Sequence, residues 1–445
     1  MSINIILVFL IFIILGLLYF EYLNSRVNSS LLIILIIGFL ILYNYKVNFF
    51  SWYDYKIYFT LLLLFIYLPI VGIDNKISTD KEFLMLMVLL GSIILVMSEN
   101  LIIVYLALEL QTFSLFILIS GNRYSIKSNE GGLKYFILGA ISSGLFLISL
   151  SIIYYSSNGL NISSLNSLCN EGYNYIWKYL LLLSIFFKLS LFPLHFWIPD
   201  IYEASSNNIM ALVGSLPKIS VLAFVIQLNI FSNFLMWCAL GSIFIGTLGA
   251  INQSKIKRLI AYSGISHIGL GILTLSIFIK SGLEPSLLYI MIYIIGFMSL
   301  VLLLTSFDRK SFTYVYDLSG FSKINILIGL SWCLLLLSMG GLPPLSGFLI
   351  KWWVIWTMII NDYSYIGLFC IIMSAIGMVY YLRITKICYF QKSSSFKIWE
   401  NAFSINKYGE LNHIYLGLGF YLVCFLIFNP TPLVMIIDLS LLSYF

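Results

Sequence analysis

The feature that most constrains this chain is a succession of apolar runs, each about as long as a bilayer is thick, with few polar residues between them. A spanning helix needs about 20 apolar residues. On that rule the sequence predicts spans near 3–20, 31–44, 57–73, 83–97, 100–120, 132–155, 179–200, 208–229, 233–251, 256–279, 286–306, 324–361, 364–388 and 411–436. That makes fourteen. Hydrophobic residues are 61% of the 445 and charged residues only 9%, too few to solvate the surface of a soluble domain. The longest polar stretch, Arg383–Tyr408, is too short to hold one. The expected fold class is therefore an all-α integral membrane protein, because a helix satisfies its own backbone in lipid.

Other classes fall away on the same reading. The net charge of +6 comes from loop lysines, with no basic, aromatic-interleaved surface to track nucleic acid. The six cysteines (169, 238, 333, 370, 388 and 424) form no CxxC and no metal spacing, so they read as small apolar residues and no metal site is expected. The opening MSINIILVFLIFIILGLLYF lacks the basic start and small-residue cleavage site of a signal peptide, and it lacks an Arg/Ser-rich transit sequence. It reads as a retained first helix. Abundant Ile, Phe, Tyr, Asn and Lys with scarce Pro point to synthesis inside an organelle or in an A+T-rich bacterium.

Lysines and arginines collect on the inner side of a membrane. Loops after odd-numbered spans hold sixteen, from Arg26 to Lys407, and loops after even-numbered spans hold four, Lys46, Lys56, Lys178 and Lys280. Splitting 324–361 into two spans would put the charges of 383–407 on the wrong side. It is therefore one broken span, and both termini face outward. Two spans are broken by proline: the seventh at Pro193 and the twelfth at Pro343 and Pro344. Such breaks are tolerated in lipid only where the freed carbonyls face protein or a wet cavity. Two of them in corresponding halves of a chain indicate a transporter built of inverted repeats.

Four cations remain inside spans: Lys134, Lys188, Lys218 and Lys351. A lysine at the bilayer centre costs about 2.5–3.5 kcal/mol, so it persists when paired, hydrated or functional. Counting about 1.5 Å per residue puts Glu109, Lys188, Lys218, His267 and Lys351 near the midplane. The chemistry this allows is proton relay. A Glu109–Lys188 pair that tightens and loosens would load and release a proton, and Lys218, His267 and Lys351 would carry the charge sideways. Structural readings stand beside these. Lys134, two residues inside span 6, can snorkel to the inner interface. His195 can bond carbonyls freed by Pro193, and His267 can be structural. The other four can form buried salt bridges. Glu99 reads as interfacial, and Asp200 and Glu203 as bounding the turn between spans 7 and 8.

The segments VYLALELQTFSLFIL, EGGLKYFILGAISSGLFL, FKLSLFPLHFWIPDIYEAS, LPKIS, QSKIKRLIAYSGISHIGLGIL, DLSGFSK and GLPPLSGFLIKWWV resemble, in this order, the antiporter-like membrane subunits of respiratory complex I. The resemblance covers about residues 85–390. It is to the chain 2, or subunit N, branch: Lys351 stands where the chain 4 type has glutamate, Lys218 where the chain 5 type has histidine, and no long lateral helix follows span 14. The resemblance implies that Glu109 and Lys188 pair, that Lys218 connects, and that Lys351 is the terminal lysine. Lys134 and His195 match further polar positions. It divides the chain into 1–80 (three spans), 81–230 (first repeat, spans 4–8), 231–390 (second repeat, spans 9–13) and 391–445 (inner loop and last span). It further implies proton translocation driven by NADH–ubiquinone electron transfer in other subunits, which hold the FMN and iron–sulfur clusters, with no cofactor in this chain. The implied partners are other membrane-arm subunits and lipids. The implied location is the mitochondrial inner membrane, multi-pass, organelle-encoded, with termini on the intermembrane-space side. One departure is the ASSNNI after DIYE, where the family has a GAPTPV-like turn. Competing readings are an Mrp-type cation/proton antiporter subunit, and a structural membrane-arm subunit with a frozen charge network.

Overall fold

The computed structural model describes residues 55–442 apart from 74–78, 123, 158, 163–164, 166–175, 230–231, 278–279, 307–312, 320–321, 323–325, 392–409 and 427. The first two expected spans, and the inner loop from 392, lie outside the described residues. The apolar runs fold as helices because in lipid no other local structure satisfies each N–H and C=O. They are α1 (Tyr55–Ile73), α2 (Thr79–Met97), α3 (Leu101–Ile119), α4 (Ile126–Ser157), α5 (Ile176–Leu189), α6 (Trp197–Ala204), α7 (Asn207–Leu228) and α8 (Asn233–Ile251). There follow α9 (Ile256–Leu275), α10 (Lys280–Ser306), α11 (Ile326–Gly340), α12 (Ser346–Ile360), α13 (Ser364–Phe390), α14 (Glu410–Phe425) and α15 (Thr431–Leu442). Seven of the described helices are long and apolar enough to cross a membrane by themselves. No strand occurs among the described residues, only two isolated bridges, Asn100–Asn161 and Lys255–Tyr314.

Both expected breaks are present, and they share one backbone pattern. Helix α5 ends with Leu191 N–H donating to Phe186 O (2.9 Å) and Ser190 N–H to Phe187 O (3.1 Å). Helix α11 ends with Leu342 N–H donating to Leu337 O (3.2 Å) and Gly341 N–H to Ser338 O (2.9 Å). Each is a Schellman stop, in which one left-handed residue lets the chain cap its own last carbonyls. That residue is Ser190 (φ 62°) in the first and Gly341 (φ 86°) in the second. A cis proline follows three residues later in both, at Pro193 and Pro344.

Three other prolines, Pro69, Pro217 and Pro285, sit within helices that continue through them. The last expected span differs from its single-helix reading. It is two helices, α14 and α15, parted around Asn429-Pro430, where proline has no N–H to continue the ladder. Helix α4 starts six residues before the expected edge of span 6. The hydroxyls of Ser125 and Ser128 both donate to Asn122 O (3.1 and 2.5 Å), fixing a polar first turn below the apolar run. At the ASSNNI departure Ser205 and Ser206 are extended, and α7 begins at Asn207.

One continuous apolar core joins all of this. Helix α7 lies at its centre, buried from Asn208 to Leu228 and packed on α1, α2, α5 and α10. Around it α8 and α9 form a tight hairpin, and the two halves of each broken span share neighbours: α5 and α6 both pack on α4, with α6 also on α9, and α11 and α12 both pack on α10 and α13. This holds the residues before and after each break against the same helices. Helix α4, by contrast, leaves much of its length exposed, including Leu133, Ile137, Ile141 and Ile148.

Candidate functional site

At the first break the sequence builds a buried cation. Lys188 lies in the last turn of α5, where the helix dipole favours positive charge, and it is 7% exposed. Its Nζ donates to Leu108 O on α3 at 3.4 Å and lies 5.7 Å from the centre of the Phe187 ring. Glu109, the next residue on α3, is half-buried and is the carboxylate whose charge acts on Lys188. The two do not form an ion pair. Instead Glu109 Oε2 accepts from Thr112 Oγ1 at 3.1 Å, within its own helix. The expected pair is thus a neighbourhood, with Lys188 held by the backbone beside Glu109 rather than by its carboxylate. Trp197 Nε1, from beyond the break, donates to Phe187 O at 3.0 Å and ties α6 to the end of α5. His195 is buried between these helices, its ring 4.2 Å from that of Phe196, and its Nδ1 has no hydrogen-bond partner. The Phe186 and Phe187 carbonyls at the end of α5 are capped by backbone N–H groups and by Trp197, while His195 has a backbone hydrogen bond at Pro193.

Lys218 occupies the middle of α7 and is 2% exposed, with no hydrogen bond to its Nζ. Its Nζ lies over the ring of Tyr202, 5.9 Å from the ring centre. Pro217, just before it, supplies no N–H for the Val213 carbonyl one turn back. On α9, His267 is held by tyrosines. Its Nδ1 contacts Tyr289 Oη at 2.7 Å and its Nε2 contacts Tyr381 Oη at 3.0 Å, while the Tyr293 ring stacks on it at 5.0 Å and 22°. The charges of Lys351 and Lys218 both act on this imidazole. Beyond the second break, Lys351 Nζ reaches back from α12 to donate to Gly340 O, the last residue of α11, at 2.7 Å. His267 and Lys351 line one cavity of about 20 Å³, with Tyr289, Tyr293, Ser338 and Ser346 around it. That is room for about one water, which needs about 10–15 Å³.

Lys134 belongs elsewhere. Its Nζ is paired with Asp200 (2.6 Å) and Glu130 (2.7 Å), and its side chain is 42% exposed. Asp200 also takes Arg258 (3.1 Å), and Glu203 takes Lys127 (2.8 Å), Lys255 (2.5 Å) and Arg258 (3.5 Å). Lys257 Nζ caps Ser205 O at 2.7 Å. This network fastens the post-break helix α6 to α4 and α9. Asp200 and Glu203 are therefore its anchors on α6, in addition to bounding the turn into α7. Partial burial pushes the Glu203 carboxyl up, but hydrogen bonds from Lys127 and Lys255 outweigh it and hold it below the ordinary carboxylate range. Glu99 is exposed and pairs with Lys56 at 3.0 Å.

The structure thus gathers His267, Lys351 and Lys218 with four tyrosines, Tyr202, Tyr289, Tyr293 and Tyr381, and it sets Lys188 and Glu109 against the first break. Among the described residues no three His, Cys, Asp or Glu side chains gather as a metal group. The tyrosines were missed by sequence reasoning, although a signal exists. Tyrosine favours membrane interfaces, yet Tyr289 and Tyr293 stand nine and thirteen residues into α10, one turn apart.

The family model described as NADH:quinone oxidoreductase/Mrp antiporter, TM, matches residues 98–377. The chain is 36% identical to NADH-ubiquinone oxidoreductase chain 2 of Metridium senile over 362 residues, covering 79% of this chain and 94% of that one. It is 34% identical to NADH-quinone oxidoreductase subunit N of Pelagibacter ubique over 327 residues, covering 70% and 69%. Among solved structures, a chain of respiratory complex I from Thermus thermophilus has the same fold, with a TM-score of 0.79, 23% identity and 92% of each chain covered. A chain of the Mrp complex from Dietzia is also similar, with a TM-score of 0.70, 16% identity, and 86% and 82% covered.

Proposed function

Because this chain belongs to the NADH:quinone oxidoreductase/Mrp antiporter transmembrane family, among its chain 2 and subunit N members, we propose that it is a proton-translocating membrane-arm subunit of an NADH:quinone oxidoreductase. It is a multi-pass membrane protein. Electrons pass from NADH to quinone in other subunits, and this chain moves protons through Glu109, Lys188, Lys218, His267 and Lys351. His195 stands beside the first break, where it can exchange a proton with Lys188's surroundings. Lys134 holds the inner end of the path in place. Fourteen spans, with helices 4–8 and 9–13 as inverted repeats within residues 81–230 and 231–390, complete the reading. The shared Schellman stop at the two breaks supports that repeat. The likeness to NADH-ubiquinone oxidoreductase chain 2 of Metridium senile supports a mitochondrial inner membrane, with termini on the intermembrane-space side and lipids and other membrane-arm subunits as neighbours.

One observation carries the functional reading. Lys188, Lys218 and Lys351 sit within the core of the fold, and none makes an ion pair among the described residues. A frozen structural network would pair them, because an unpaired buried cation is strongly unfavourable. Cations held only by carbonyls and an aromatic ring are free to exchange protons. An Mrp-type antiporter would use the same groups without a dehydrogenase. The identities of 36% and 34% to complex I subunits favour the first. The test is Lys188→Met in the assembled enzyme reconstituted in vesicles. Lower proton uptake per NADH oxidised is expected, and unchanged uptake with intact assembly would sink the relay. Co-purification without a flavin-containing dehydrogenase would favour the antiporter.

A further inference from the structure

Between Lys218 and His267 lie two polar groups that charge pairing does not explain, the hydroxyls of Tyr202 and Tyr293. Both are buried without a hydrogen-bond partner, as is Lys218 Nζ. Buried polar groups are satisfied in the large majority of cases, so three together call for a reason. They are also neighbours. A Cβ placed on Gly264 would lie 2.7 Å from Tyr293 Oη and 3.9 Å from Lys218 Nζ. Both atoms therefore converge on one bare patch of α9, a single turn before His267. A Cβ on Gly214, one turn before Lys218 on α7, would lie 2.6 Å from Tyr202 Oη. Tyr293 meanwhile stacks its ring on the imidazole of His267. One tyrosine thus faces both groups, its ring against His267 and its hydroxyl towards Lys218.

Resting on the proton relay proposed above, we infer that Tyr293 is a positioning residue of the path: its hydroxyl accepts the Lys218 ammonium and draws it from the Tyr202 ring towards His267. An ammonium has three donors on a flexible stem, and a phenol oxygen accepts from it. Bonded there, the charge of Lys218 lies against α9 and the imidazole. Released, it rests over Tyr202, the arrangement seen in the structure. The missing side chain at Gly264 is what leaves space for the exchange. Tyr289 and Tyr381 take the two ring nitrogens of His267, so the imidazole is already oriented when the ammonium arrives. The ring of Tyr293 and its hydroxyl have separable duties, and phenylalanine would keep the first and lose the second.

The experiment compares Tyr293→Phe, Gly264→Ala and Lys218→Met in the whole complex. Proton uptake into vesicles per NADH oxidised is read beside NADH:quinone reduction and the amount of assembled complex. Tyr293→Phe is expected to slow proton uptake in the same direction as Lys218→Met, by up to about fivefold, the factor one hydrogen bond supplies, with assembly unchanged. Gly264→Ala, which keeps both polar atoms but fills the patch between them, is expected to do the same. Full uptake in Tyr293→Phe beside a loss in Lys218→Met overturns the inference and leaves the proposed function standing. Full uptake in both overturns both. If Tyr293→Phe fails to assemble, Gly264→Ala decides on the same readouts.

Discussion

Replacing Lys218 by methionine is expected to stabilise the protein while impairing proton movement. Methionine matches the lysine stem in length and shape and removes only the ammonium. That ammonium is 2% exposed, lacks a hydrogen bond, and sits in a helix buried along its whole length. A lysine at such a depth costs about 2.5–3.5 kcal/mol on insertion scales. The Tyr202 ring, 5.9 Å away, returns about 2 kcal/mol of it, the scale for a desolvated cation. The net gain on substitution is then about 1 kcal/mol, or about 1 °C in unfolding temperature on soluble-protein scaling for a chain of this size. The assay is the temperature at which the subunit dissociates from the detergent-solubilised complex, read beside proton uptake per NADH. A rise in temperature with a fall in uptake is expected. If Lys218→Met lowers the temperature, the ammonium is an ion-pair partner, and the reasoning from an unpaired buried cation is refuted.

The remaining expectations follow from the breaks and the inner network. Asp200→Asn weakens the pairs with Lys134 and Arg258, whose side chains are 42% and 33% exposed, and should cost about 1 kcal/mol; hydrogen exchange should quicken along residues 126–134 and 255–258. Glu203, held below its ordinary carboxylate value, adds stability that is complete above that value and is lost as pH falls through the depressed one. A Glu203→Gln variant should lack that part of the acid sensitivity in unfolding scans from neutral pH downward. Gly341→Ala forces a side chain into φ 86° and against Lys351 Cδ at 2.8 Å, so about 1–2 kcal/mol of stability and part of the proton uptake should be lost together. Uptake that survives Gly341→Ala would separate the second break from the position of Lys351.

Much of this fold was legible because lipid leaves the chain few options. Apolar runs gave the helices, and Pro193 and Pro344 gave the breaks. Depth along a helix placed Lys188, Lys218 and His267 inside, where they are buried. Depth is only one coordinate, and this limited the pairing of Glu109 with Lys188. The two share a depth, but the azimuth that turns Glu109 towards Thr112 depends on how α3 and α5 pack. Lys134 shows the same limit from the other side. Two residues inside a predicted span, its depth suited either relay or snorkelling; the carboxylate that holds it, Asp200, arrives only after the chain has turned at Pro193. The tyrosines around His267 were hidden for a different reason. A tyrosine counts as apolar in a run, and its hydroxyl becomes chemistry only when α9, α10 and α13 bring three of them to one imidazole. The final span was read as one helix because its apolar run passes through Asn429-Pro430 without a change in composition.

The central claim is that the buried cations act in series, and it is tested most directly by Lys188→Met, Lys351→Met and the double variant in one set of reconstituted vesicles. Groups that form one path are strongly non-additive: once the path is cut, a second cut changes little. The account predicts that the double variant takes up protons per NADH no more slowly than the slower of the two single variants, with assembly intact in all three. Losses that multiply in the double variant would show two sites acting independently, and would contradict a single relay running from the first break to the second.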